Sequence, residues 1–299
     1  MEEAEQWQER LRWDYRGSIE LLLQYLDSRM LPGFVALLQG KVVGYTFCVI
    51  ESNKAVVGDV YVSRALNLEF GLADLLMLHL LELLRASPDL DRIESQLLLY
   101  HSGELAEPFR LAGFTTYPRL YQICELNNLS NARRPVPGVL ELCPWTPGIY
   151  QGVAELIHAA YARHLDALVN DQYRTLHGSL RFLHNIVRFP GCGEFDAEGS
   201  WVLRDRQTRE LAAVVLCSRI GADVAHITQL CVAPRWRGRG LGAALLGHVM
   251  ESLPARGYRA ITLTVSEGNL PAVRLYERSG FRTLHRFDAM VLDQAPARF

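Results

Sequence analysis

The sequence lacks any apolar run of the roughly 20 residues that a membrane-spanning helix requires, so no membrane is expected as a partner. It lacks the basic start and apolar core of a secretory leader, because Glu2, Glu3, Glu5 and Glu9 crowd the first turns instead. No excess of either charge is present: 31 Lys and Arg stand against 33 Asp and Glu, which argues against nucleic acid as a partner. Cysteine spacing is uninformative too. Cys48, Cys124, Cys143, Cys192, Cys217 and Cys231 are scattered, with neither a disulfide framework nor a zinc pattern. No metal is expected, and the thiols read as those of a reducing, cytoplasmic compartment.

What is present is a length of 299 residues, about twice that of a usual domain, with 49% hydrophobic residues to build a substantial core. A polar, proline-containing stretch from Asn127 to Gly138 separates two apolar strand-like runs. It predicts a first domain over 1–128, a linker over 129–138 and a second domain over 139–299. In the second half, Thr146-Pro147 reads as a helix start, followed by helices to about His164 and from Asp166 to Arg188. Strands are expected over Val139–Cys143, Ser200–Arg204, Leu211–Ile220, Asp223–Val232, Tyr258–Val265 and Phe281–Asp293, with helices over Gly240–Ala255 and Pro271–Ser279. That order is a mixed α/β domain in which a strand feeds a glycine-rich turn and a helix.

The first half repeats part of the order. A hairpin around Gln39-Gly40, a strand over Ala55–Val62, a helix over Leu68–Arg85 and a last strand over Tyr117–Leu126 are expected. Val60-Tyr61-Val62 precedes Leu230-Cys231-Val232 by 170 residues, and Gly113-Phe114 precedes Gly280-Phe281 by 167. Two copies of one fold account for both spacings.

The segment from Leu230 to Gly242 carries the chemistry. A strand runs into a loop with three glycines in five positions, Gly238, Gly240 and Gly242, and a helix begins inside it. Backbone N–H groups without helical partners then converge, at the positive end of the helix dipole, as a phosphate or pyrophosphate requires. Glycine admits the anion where a Cβ would intrude, and Arg237 and Arg239 add charge. A tight turn with solvated arginines, or an Arg-Gly segment that touches RNA, would share this composition. A dinucleotide site fits less well, since its glycines directly follow the strand, whereas five residues intervene here after Val232.

Arg237-x-x-Gly240-x-Gly242, preceded by Val232-x-Pro234, resembles the pyrophosphate motif of the GCN5-related N-acetyltransferases, the GNAT family. Asn269 through Tyr276 to Gly280-Phe281 resembles that family's second signature. The resemblance implies an acyl-coenzyme A N-acyltransferase fold in two tandem copies, with acetyl-coenzyme A as co-substrate and a small-molecule or peptide amine as acceptor. It implies that Leu230, Cys231 and Val232 pair with the cofactor's pantetheine arm and that the Leu230 N–H faces the thioester oxygen. Arg237, Gly238, Arg239, Gly240, Leu241 and Gly242 would hold the pyrophosphate, Asn269 would touch the arm, and Tyr276 would protonate the leaving thiolate.

The family's frequent strand glutamate is missing. Alternate positions counted back from Leu230 reach Thr228 and His226, so His226 is the expected base, with Glu194 and Glu155 behind it. His158, His164, His177 and His184 lie in the helices expected to form the acceptor pocket. In the first half the same alignment puts Asn67 at Arg237, Glu69 at Arg239, Phe70 at Gly240, Leu72 at Gly242 and Phe109 at Tyr276, which predicts a copy unable to hold pyrophosphate. The competing class is an acyl-coenzyme A sensor or scaffold without turnover.

Overall fold

The computed structural model describes residues 2–63, 65–67, 71–128, 135–189 and 191–294. They form two compact units: Met1–Arg10, Arg16–Arg119 and His285–Phe299 make the first, and Leu11–Tyr15 with Leu120–Leu284 the second. The first unit opens with helices α1 (Glu2–Leu11) and α2 (Arg16–Asp27), then a meander of β1 (Gly33–Leu38), β2 (Lys41–Glu51) and β3 (Lys54–Val62). Helix α3 (Leu72–Arg85) carries the chain to β4 (Arg92–Gln96), which runs parallel to β3. Short helix α4 (Ala106–Leu111) and β5 (Thr115–Glu125) follow. Ala73, Leu76, Met77, Leu80, Leu81 and Leu84 recur at helical spacing on α3 and pack on Val57, Val60 and Val62 of β3. Residues 68–70, including Glu69 and Phe70 of the alignment above, lie outside the described residues.

In the second unit β6 (Leu140–Pro144) leads to α5 (Tyr150–Tyr161), short α6 (Asp166–Val169) and α7 (Leu176–Arg188). The single helix expected from Asp166 to Arg188 is broken because two side chains cap new starts: Asn170 Oδ1 accepts from the Gln172 N–H at 3.0 Å, and Thr175 Oγ1 from the Gly178 N–H at 2.9 Å. Strands β7 (Glu194–Asp205), β8 (Leu211–Arg219) and β9 (Val224–Val232) continue the meander from β6. Then come α8 (Leu241–Ser252), β10 (Ala260–Ser266) parallel to β9, α9 (Leu270–Arg278) and β11 (Arg282–Asp293).

Each unit is completed by a strand from the other half of the chain. In the second unit β5 lies beside β10. In the first, β11 pairs antiparallel with β4, from Ala289↔Gln96 to Asp293↔Arg92. The units therefore do not follow the linear division at 129–138, of which 129–134 lie outside the described residues. An alternating strand pattern says which face is buried and not which sheet is joined, and β5 and β11 follow equivalent Gly-Phe pairs. The transplanted β11 is built in firmly. Met290 is buried in the first unit's core, and Arg92 spans Glu94 at 2.6 Å and Asp293 at 2.5 Å, so its buried guanidinium is compensated on both sides.

Met290→Ala should cost about 2 to 5 kcal/mol, the usual penalty for emptying a core methionine site. Native-state hydrogen exchange should accelerate along α3, made of early residues, and stay unchanged along α8. Equal acceleration in both helices would contradict the assignment of β11 to the first unit.

Candidate functional site

Between β9 and α8 the chain makes a 3₁₀ turn over Pro234–Trp236 and then adopts left-handed backbone at Gly238 (φ 76°) and Gly240 (φ 78°). Gly240 is the N-cap of α8 and supplies no side chain, so the N–H groups of 241–243 begin the helix without helical acceptors. The first bond of the helix is Ala244 N–H to Gly240 O at 3.0 Å. Arg237 does not wave in solvent. Its Nη2 donates to the Ala160 carbonyl at 2.5 Å and its Nε to the Val232 carbonyl at 3.4 Å, tying the loop to the end of α5. The Arg239 guanidinium lies over the Trp236 ring at 4.8 Å.

A cleft of about 1180 Å³ opens beside this turn, wholly within the second unit. Leu230, Cys231 and Val232 line one wall; Arg237, Gly238, Gly240, Leu241 and Gly242 line the turn; Asn269 closes the other side. Asn269 also caps α9, its side chain accepting from the Ala272 N–H at 3.4 Å. Arg239, Tyr276 and His226 are not among the lining residues.

The wall exists because β9 and β10 part. Their parallel ladder runs from Ala260↔Val224 to Leu263↔Ile227 and stops, leaving 228–232 of β9 without β10 partners. At the same point β9 holds one residue too many against β8: Leu216 pairs with Gln229 and Cys217 with Ile227, so Thr228 is the extra residue of a β-bulge. The bulge corrects the expectation for His226. An extra residue inverts the alternation, so His226 and Leu230, two pleats apart in sequence, face opposite sides. His226 is buried, its Nδ1 2.9 Å from Thr262 Oγ1 and its ring against Trp13 and Tyr121. Burial pushes it down to about 3, and it stays neutral and away from the cleft.

At Leu230 the backbone is turned the other way. Tyr161, at the end of α5, donates its hydroxyl to the Leu230 carbonyl at 3.3 Å, and a strand residue's N–H lies on the same edge as its C=O. The Leu230 N–H therefore faces the cleft. Tyr276 is buried behind the wall, its hydroxyl raised by burial and further by Asp166 and Cys231. It keeps its proton across the physiological range.

Among the other candidates, Glu155 is exposed and bonded to Gln151 at 2.9 Å, and Glu194 sits exposed at the start of β7. Of the helix histidines, His164 lines the cleft; His158 lies 3.3 Å from the Tyr173 carbonyl, and His184 packs on Phe189. Tyr161 was not legible as a site residue, since its spacing on α5 is that of ordinary core.

The acetyltransferase (GNAT) family model matches residues 164–281. Over 75 residues the chain is 35% identical to the ribosomal protein bS18-alanine N-acetyltransferase of Escherichia coli strain K12, covering 25% of this chain and 50% of that protein. Over 87 residues it is 37% identical to the mycothiol acetyltransferase of Beutenbergia cavernae, 29% of each. The chain thus spans half or less of these curated relatives. A tandem GNAT protein from the clavulanic acid biosynthesis pathway superposes with a TM-score of 0.58 at 18% identity, over 90% of this chain and 84% of that one. The mixed α/β acyl-coenzyme A N-acyltransferase fold, in tandem, is the fold anticipated from the two sequence signatures.

His226→Gln should leave the cleft's chemistry untouched and change stability instead. A group held at about 3 in the fold, against 6.5 when free, is protonated first in the unfolded chain as pH falls. Its contribution is intact above about pH 6.5 and drains away toward pH 3. Urea midpoints measured across that window should fall less steeply for the variant than for the parent.

Proposed function

We propose that the second unit, whose residues 164–281 match the acetyltransferase (GNAT) family model, transfers an acetyl group from acetyl-coenzyme A to a primary amine. The observation that carries this reading is the meeting, in one cleft, of a strand edge left unpaired over 228–232 and a helix start with free N–H groups. The first suits an arm with amide groups, which would add to β9 as another strand does. The second suits a pyrophosphate. Leu230, Cys231 and Val232 would hold the arm, Gly238 to Gly242 the pyrophosphate, and Asn269 the arm's far side. Arg237 and Arg239 would contribute field more than contact, since one is bonded to backbone and the other stacked on Trp236.

Acetyl-coenzyme A would supply an activated thioester. The amine lone pair forms the new C–N bond at the thioester carbon while the C–S pair leaves on sulfur. The Leu230 N–H faces the oxygen on which charge develops. Tyr276, which stands where the family's second signature has its tyrosine, would give its proton to the sulfur. The acceptor is free to be a small amine or a peptide terminus, as in the relatives named above.

The first unit is read as silent. It keeps the same bulge, with Gly58 extra between Phe47↔Asp59 and Cys48↔Val57, and its β3–β4 ladder likewise stops at Val57. At the helix start, however, Asn67 stands where Arg237 stands in the other unit, and its Oδ1 accepts from the Ala73 N–H at 2.9 Å. A side chain already occupies the place of the anion. Phe109, in place of Tyr276, has no proton to give.

Calorimetry with acetyl-coenzyme A should give one mole bound per mole of chain. Gly242→Glu should abolish it; this position is preferable to Gly240, whose left-handed backbone strains any side chain, because a Cβ at 242 meets Leu275 and Val232 only at 3.5 and 3.7 Å. Unchanged affinity would place the anion elsewhere. Tyr276→Phe should bind normally and lose about 10²- to 10⁴-fold in turnover, read as thiol release with tryptamine, glucosamine, spermidine and an alanine-led peptide as acceptors.

A further inference from the structure

We propose that Arg274, Arg278 and Arg282 form a phosphomonoester subsite that selects coenzyme A by its 3′-phosphate. This rests on the transfer reading above, which places the cofactor's arm and pyrophosphate and leaves its third phosphate unassigned. The arginines of the cleft divide into two sets. Those of the turn are committed, Arg237 to the Ala160 and Val232 carbonyls and Arg239 to the Trp236 ring. Those on the α9 side are not. Arg274 and Arg278 of α9 and Arg282 at the start of β11 line the cleft with exposed side chains, and their guanidinium groups have no ion-pair or hydrogen-bond partner among the described residues.

Their place follows from how α9 packs. A Cβ added at Gly242, in the first turn of α8, would sit 3.5 Å from the Leu275 side chain, so α9 lies against the helix start that suits the pyrophosphate. Leu275 directly follows Arg274 and precedes Arg278 by roughly 4.5 Å along the axis, at 1.5 Å per residue. Arg274 and Arg278, four residues apart, are neighbours on one helix face with about 5 to 6 Å between Cβ atoms. The two arginines therefore flank the point where the turn meets α9. A single ribose joins the 3′-phosphate to the pyrophosphate, which brings that second anion to this rim when the first sits at the turn.

The charges match in sign and size. A phosphomonoester carries about −1.5 to −2 at neutral pH and three acceptor oxygens, which guanidinium groups can grip in pairs. Of the carboxylates lining the cleft, Glu125 pairs with Arg12 at 2.8 Å, and Glu251 lies roughly 14 Å along α8 from Gly242 at 1.5 Å per residue. Glu277 stands among the three arginines and forms no ion pair with them, so the rim keeps a surplus of positive charge. The first unit is the natural comparison. At the 167-residue offset Glu107 stands at Arg274, Leu111 at Arg278 and Thr115 at Arg282, while Arg110 stands at Glu277. Glu107 and Arg110 neutralise each other there at 2.6 Å. The unit whose helix start is closed by Asn67 thus lacks all three arginines as well.

Calorimetry of the full chain with coenzyme A and with 3′-dephospho-coenzyme A tests the subsite. At low salt the parent should bind coenzyme A about 10-fold more tightly, the scale that several exposed charge pairs supply together. The preference should shrink as added salt screens it. A variant carrying both Arg274→Gln and Arg278→Gln should lose affinity for coenzyme A and keep that for the dephospho form, so that the two bind nearly alike; both positions are exposed, and the fold does not depend on them. A parent that binds the two nucleotides equally overturns the subsite alone. So does a double variant that keeps the full preference, or one that weakens both nucleotides by the same factor. A parent that binds neither overturns the transfer reading and the subsite together.

Discussion

One extra residue in β9 organises the second unit. Thr228 has no place in the ladder with β8, and its hydroxyl donates to the Leu216 carbonyl at 3.2 Å, which holds the bulge. Beyond it β9 turns away from β10, and the edge amides of 228–232 lose their partners. Unpaired backbone amides at a sheet's interior are costly unless something replaces the missing strand. The cleft is that missing strand's place. The same inversion of alternation puts His226 among Trp13, Tyr121 and Thr262 and turns Leu230 toward the opening. A buried neutral histidine and an exposed strand edge are two consequences of a single irregularity.

The first unit keeps the same strand scaffold with a different helix start. Its bulge falls at Gly58, where a Cβ would come within 2.1 Å of the Phe47 ring, so glycine there serves packing between strands. The parted strands survive. The helix start does not remain open, because Asn67 satisfies an N–H of α3 from within the chain, and the Leu72 side chain packs on the core. Helix α1 brings Glu3 to the Tyr45 hydroxyl at 2.5 Å and Gln6 to the Tyr61 hydroxyl at 3.4 Å, adding polar partners to the strands after the bulge.

Much of the site was legible in the sequence because it depends on local rules. Glycine at positions of positive φ, proline entering a 3₁₀ turn, and asparagine capping a helix act through neighbours a few residues away, and Gly238, Gly240, Gly242 and Asn269 all line the cleft. The two bulges, at Gly58 and Thr228, lie at the 170-residue spacing of the repeat. Period-two counting failed at His226 for an equally local reason: the count assumes one residue for one, and β9 has an insertion.

What the sequence determined by itself was most of the order of elements, the tandem fold and the glycine-rich turn, all of which follow from periodicity, turn chemistry and backbone freedom. Only the tertiary structure decided that β5 completes the second unit and β11 the first, since hydrogen bonding between strands carries no address in the sequence. Only it brought Asp166 and Ser266, 100 residues apart, to one carboxylate contact beside His164. Such meetings are set by how whole elements pack, and a chain read from one end to the other does not contain them.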